Sequence, residues 1–168
     1  MLAGGDRRSI GRSDEVAELV ARHPERVVEL VECLWDSDSC IRMRAADAME
    51  KASRQNAAVL QGHKAELLGL LATDEQKEVR WHLAVMVPRL RLTVPERHRV
   101  ANLLQIYLED RSSIVKTFAM QGLADLALQD PALQPMVTEL IRSLVRTGTP
   151  AMRARGRKIL RQRDARQP

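Results

Sequence analysis

Aromatic residues are nearly missing from this chain. Trp35, Trp81, Tyr107 and Phe118 make up 2% of its 168 residues. Strands draw on aromatic and β-branched side chains, so the scarcity argues against a sheet. The apolar content is instead Leu, Ala, Val and Met, which favour helices. Cysteine is equally scarce: Cys33 and Cys40 stand seven apart and form no CxxC. That spacing argues against a disulfide framework and points to plain thiols in a reducing cytoplasm. No apolar run approaches the roughly 20 residues needed to cross a bilayer. Met1 to Ser13 is polar and lacks the apolar core of a secretory signal. A cytoplasmic monomer without membrane contact is the expectation.

Charge is present but unevenly placed. From Arg142 onward there are nine Lys or Arg and a single acid, Asp164, a net of +8; residues 1–141 carry −3. Any attraction to a polyanion is therefore confined to the last stretch of the chain. With 45% hydrophobic and 29% charged residues the composition is that of a folded domain.

The chain repeats itself. Ile41-Arg42-x-x-Ala45-Ala46-x-x-Met49 aligns with Val79-Arg80-x-x-Leu83-Ala84-x-x-Val87, Val115-Lys116-x-x-Ala119-Met120-x-x-Leu123 and Met152-Arg153-x-x-Gly156-Arg157-x-x-Leu160, at steps of 38, 36 and 37 residues. Asp36, Asp74, Asp110 and Thr147 each precede the leading apolar residue by five positions. Leu30, Leu68, Leu104 and Ile141 precede it by eleven, and Leu34, Ala72, Leu108 and Val145 by seven. Spacings of three, four and seven place these residues on one stripe per helix. Each unit thus reads as a helix, a short polar turn and a second helix. The predicted helices cover 14–22, 24–35, 39–54, 63–72, 76–91, 95–109, 112–129, 131–146 and 150–164. Thr149-Pro150 and Asp130-Pro131 supply a capping side chain before a first-turn proline, whereas Pro88 falls within a helix and should kink it.

An aspartate, five intervening residues and then Arg or Lys, inside two-helix units of about 37 residues, resembles HEAT repeats and their bacterial HEAT-like relatives. The resemblance covers 24–164. It implies an all-α, right-handed α-solenoid of about four HEAT-type hairpins. A capping helix at the N-terminus completes a single domain over 14–164, with flexible tails at 1–13 and 165–168. It also implies a ladder between neighbouring repeats, carried here by Asp36 and Arg42, Asp74 and Arg80, and Asp110 and Lys116. The fourth unit departs from it, with Thr147 ahead of Arg153.

Second helices usually line a solenoid's concave, binding surface. Stepping about 100° per residue places Met43, Arg44, Asp47, Lys51 and Arg54 away from the core in the first unit. The corresponding residues are Trp81, His82, Val85 and Arg89 in the second, Thr117, Phe118, Gln121 and Asp125 in the third, and Ala154, Arg155 and Lys158 in the fourth. This predicts a contact site centred on Trp81, Val85 and Phe118 and rimmed by Arg44, Arg89 and Arg155. The alternative is that helix rotation, or a kink at Pro88, turns Trp81 into the core.

No catalytic pattern is legible. His23, His63, His82 and His98 are none of them followed by Glu, and no HExxH, GxSxG or Gly-rich phosphate loop occurs. The His-Glu iron pairs of the HEAT-repeat deoxyhypusine hydroxylases are absent. No cofactor or metal is expected. The expected function is a non-enzymatic HEAT-repeat protein-binding module or scaffold using its concave surface. The alternative is nucleic acid. That would be bound either in a groove similar to that of HEAT-like alkylpurine DNA glycosylases, with Trp81, Phe118 and an acid such as Asp47 or Asp125, or by phosphate contacts from Arg142, Arg146, Arg153, Arg155, Lys158 and Arg161. The basic run also has a plainer reading, as the polar face of a terminal repeat.

Overall fold

The computed structural model describes residues 1–4 and 9–165, which form nine α-helices, four short 3-10 turns and no strand. The helices are α1 (Ser13–Arg22), α2 (Val27–Cys33), α3 (Ser39–Gln55), α4 (Lys64–Thr73), α5 (Lys77–Met86), α6 (Val94–Tyr107), α7 (Ser113–Gln129), α8 (Gln134–Thr147) and α9 (Pro150–Asp164). The flexible tails expected at 1–13 and 165–168 fall partly outside the described residues, as does Arg166. By contact the chain divides into two compact units, Met1–Arg91 and Leu92–Pro168.

In the first unit α3 is the hub, with α1, α2 and α5 all packed on it. Ala45, Ala46, Ala48 and Met49 of α3 are fully buried; three of the four are alanines, which allow the neighbouring helices close approach. In the second unit α6 packs on α7, α8 on α9, and α7 on both members of that last hairpin. Val115, Ala119, Leu123 and Leu126 of α7 are fully buried. A Cβ added at Gly156 of α9 would lie 2.6 Å from the Val145 methyl of α8. The approach of α8 to α9 at this point therefore depends on a missing side chain.

The repeat is visible in the turns. The Asp36 carboxylate accepts from the Asp38 N–H at 2.7 Å, Asp74 from Gln76 at 2.8 Å and Asp110 from Ser112 at 2.7 Å. Each aspartate thereby folds the backbone back on itself just ahead of a second helix. In the fourth unit Thr147 instead bonds to the Ser143 carbonyl. The other corners use the same chemistry at helix entry. Asn56 caps Ala58, Asp130 caps Ala132, and Thr149 caps Met152. Thr93 and Glu96 form a full capping box at α6, unanticipated from Pro95 alone.

Two expectations are corrected. Pro88 ends α5 at Met86 and begins a 3-10 turn, Val87–Arg89, where a kinked helix through residue 91 was expected. A proline cannot donate the hydrogen bond that the next turn of α-helix requires. In α4 the buried residues are Leu67, Leu70 and Leu71, while Leu68 is only half-buried and Ala72 is exposed. The repeat alignment is thus one residue out of register in this helix.

Candidate functional site

The inner face read from helical phase is largely occupied in the first unit. Arg44, expected at the rim of a groove, is 1% exposed. Its guanidinium donates to the carbonyls of Leu2, Gly4 and Ser9. Asp47 is buried too, because α1 lies across α3 at this level. The Ser13 hydroxyl donates to the Asp47 carboxylate, Lys51 lies 2.7 Å from it and the His82 ring 3.4 Å. Burial pushes the Asp47 pKa up, but the bonds from His82, Lys51 and Ser13 outweigh it and hold the carboxylate below its usual range. Burial depresses Lys51, and its bonds to Asp14 and Asp47 more than restore it, so the ammonium is held charged. Ser13 is fully buried and spends its proton on Asp47. The Ser13–Lys51 proximity therefore fastens α1 to α3 and leaves no exposed nucleophile.

A second buried cluster lies further along α3. Glu50 is 1% exposed and sits between two arginines, with Arg89 at 2.6 Å and Arg54 at 2.6 Å. Arg89 also donates to the Glu50 carbonyl and the Ser53 hydroxyl. Burial raises the Glu50 pKa, and Arg54 and Arg89 overcome that to hold it below the ordinary glutamate range. Arg89 is thus a structural tie from the Pro88 turn to α3. Glu50, Ser53 and Ser13 were not anticipated. The Glu50-x-x-x-Arg54 spacing was the available signal, being a favourable i,i+4 pair.

Val85 and His82 are buried at 4% and 1% exposure, correcting their assignment to a solvent-facing surface. Both lie on the side of α5 that packs on α3, the α1–α3–α5 order having closed off that part of the helix. Trp81 is half-buried and stacks on His82, with ring centroids 3.3 Å apart. Trp81 belongs to the first unit and Phe118 to the second.

In the second unit Phe118 is half-buried and Arg155 of α9 lies over its ring, 5.4 Å from the centroid. Arg155 also donates to the Gln121 side chain, which donates to Asp125 at 2.9 Å. Phe118, Gln121 and Arg155 therefore lie together, with Lys158 one helical turn beyond Arg155 and exposed. Arg142, Arg146, Arg153, Arg157 and Arg161 are exposed as well. No base from Arg142 to Arg163 has an ion-pair partner among the described residues. In the first unit, by contrast, Arg12, Arg22, Arg26, Arg42, Lys51, Arg54 and Arg89 each face a carboxylate.

The ladder residues are partly resolved by the same geometry. Arg42 pairs with Asp74, whose side chain is 1% exposed, so the base of one hairpin meets the turn aspartate of the next. Among the described residues no group of three or more His, Cys, Asp or Glu is placed to hold a metal ion, and no helix is long and apolar enough to cross a membrane.

Fold and site together define an all-helical protein of short, turn-capped hairpins, with a charge-neutralised first unit and an open basic helix at its end. Comparison with models of known protein families and with curated proteins finds no match.

Proposed function

We propose that this chain is a non-enzymatic HEAT-like repeat module that binds a phosphate-bearing polymer, a nucleic acid, through the basic face of its last hairpin. The single observation that carries the reading is the set of cations from Arg142 to Arg161 without an ion-pair partner among the described residues. The placement of these charges costs stability. Arg142/Arg146, Arg153/Arg157 and Arg157/Arg161 are like-charged i,i+4 pairs, each destabilising by about 0.2–0.5 kcal/mol. Arg161 and Arg163 stand in the last turn of α9 and Arg146 in that of α8, where the helix dipole offsets that cost. A solubilising cap does not require the others. The HEAT-like reading is supported by the three aspartate turns at matching positions and by the Arg42–Asp74 rung.

The test is fluorescence anisotropy with labelled single-stranded and duplex DNA and RNA across a salt series. The chain carrying Arg153→Gln, Arg157→Gln and Arg161→Gln should bind more weakly. On duplex DNA its log–log salt slope should be shallower by about 2.7, from about 0.9 per lost phosphate contact. An unchanged slope, or no binding at low salt, refutes the proposal.

A protein partner on the α7–α9 face is the second reading. It is favoured by a half-exposed aromatic beside an arginine, the pairing enriched at interface centres. Under that reading nucleic acid is not retained, and Phe118→Ala releases a partner whose capture survives nuclease and moderate salt.

A further inference from the structure

At the N-terminal end of the first unit, α1 occupies the place of a second helix. It packs on α3 as α5 does. In the hairpins α2–α3, α6–α7 and α8–α9 the second helix packs beside a first helix. Next to α1 lies instead an apolar cleft of about 300 Å³. Its walls are Val16, Leu19 and Val20 of α1, Leu30 and Cys33 of α2, and Ile41 of α3; Val16, Val20 and Leu30 are buried, so the open surface is that of Leu19, Cys33 and Ile41, and Met1–Ala3 run along one edge. Leu19 is half-exposed in it.

The surroundings are acidic. Residues 13–36 hold seven acids against two bases. Both bases are already engaged: Arg26 grips Glu29 with two bonds of 2.7 and 2.8 Å, and Arg22 pairs with Glu18, while Arg12 and Lys51 from outside the stretch meet Glu15 and Asp14; Glu25, Glu32 and Asp36 keep no Lys or Arg partner among the described residues. Burial, then Asp36 and Glu32, push the Cys33 thiol pKa up, against the N-terminal ammonium, which pulls it down.

We propose that this cleft is a docking groove for a Lys/Arg-rich amphipathic helix of another protein. Such a helix would seat apolar anchors at i, i+3, i+4 and i+7 spacing where the missing hairpin partner would lie. The charge selects the partner: a basic helix gains from the rim, and a nucleic acid is repelled by it. A second copy is a poor occupant. Its own basic helix, α9, has Met152 and Ile159 buried at 2% and 3%, leaving no apolar stripe to offer. A small molecule is a poor one too, because the Arg26 and Glu29 side chains that could orient it are spent on each other. This inference is independent of the polyanion reading, since it concerns the opposite sign of charge and the other unit.

The experiment uses the full chain carrying Cys40→Ser and a fluorescein-labelled Leu/Lys peptide of about 18 residues with leucines at that spacing. A scrambled peptide of the same composition is the control. Anisotropy reports affinity, and the rate of Cys33 alkylation by iodoacetamide reports location. The patterned peptide should bind at least about tenfold more tightly than the scrambled one and slow alkylation of Cys33. Leu19→Glu should remove that preference while helicity is kept. If Leu19→Glu lowers helicity, the exposed Glu32→Lys replaces it and should weaken the patterned peptide several-fold. Equal binding of both peptides, or binding without protection of Cys33, overturns the proposal. So does a concentration-dependent dimer that protects Cys33 with no peptide present, or an apolar dye that fills the cleft while the peptide does not.

Discussion

Replacing Arg89 with Ala tests whether the buried charges of α3 hold the first unit together. The substitution removes two hydrogen bonds to Glu50, one to its carboxylate and one to its carbonyl, and a third to Ser53. Bonds to a charged group contribute about 1.5–3 kcal/mol, and breaking a buried pair outright costs about 3–5 kcal/mol. Here Arg54 stays on the Glu50 carboxylate, so the carboxylate is weakened but not orphaned. A loss of about 2–3 kcal/mol follows, a fall in urea midpoint of about 1–2 M for a chain of this size. The pH dependence gives a second check. Glu50 has a folded pKa below its unfolded value, so its contribution is complete above the ordinary glutamate range and is lost as pH falls through the folded value. The gap between wild type and Arg89→Ala should therefore be full at pH 7 and narrow as pH falls through the folded Glu50 value, leaving the part that comes from the Glu50 carbonyl and Ser53 bonds, which do not titrate. Urea titrations followed by circular dichroism at pH 7 and in acid provide the measurement. A loss under about 1 kcal/mol at pH 7, or a gap that persists unchanged in acid, would refute the reasoning.

Three further substitutions probe other joints. Gly156→Ala forces a methyl against Val145 and should cost about 1–3 kcal/mol by urea titration, with Val145→Ala restoring part of it. Thr93→Ala removes the α6 capping box and should cost about 1 kcal/mol, while Thr93→Ser should be near neutral. Ser13→Ala withdraws a donor from the buried Asp47 and should cost about 1.5–3 kcal/mol. Hydrogen exchange should quicken most in the α1 amides, and uniform quickening would mean that Ser13 does not fasten that helix locally.

Helix positions were legible where local chemistry sets the turn or the cap. Asp36, Asp74, Asp110, Asp130 and Thr149 all act through bonds within a few residues of themselves. The α4 register was not. In -Leu67-Leu68-Gly69-Leu70-Leu71- several phases are equally apolar, and only packing selects Leu67 and Leu71. The inner face failed for a different reason. Periodicity separates apolar from polar positions, but Arg44, Asp47 and Glu50 are polar and buried. Their partners, Ser9, Ser13 and Arg89, lie 34 to 39 residues away. No property of α3 alone reveals that α1 will cover it. On α7 the same helical phase set Thr117 and Phe118 together away from the core, yet Thr117 is 7% exposed while Phe118 is half-buried.

The distribution of indoles has an optical consequence. Both tryptophans belong to the first unit, and the second unit's aromatics are Tyr107 and Phe118. Emission excited at the red edge of the indole band therefore watches Met1–Arg91 alone. Trp35, 63% exposed, emits from water, whereas Trp81 lies against the His82 ring in a far drier setting. Changes that begin beyond Leu92 reach this signal only if they disturb the first unit. A denaturation curve by tryptophan emission and one by peptide-bond absorption thus report on different parts of the chain. Any divergence between the two directly measures how independently the units come apart.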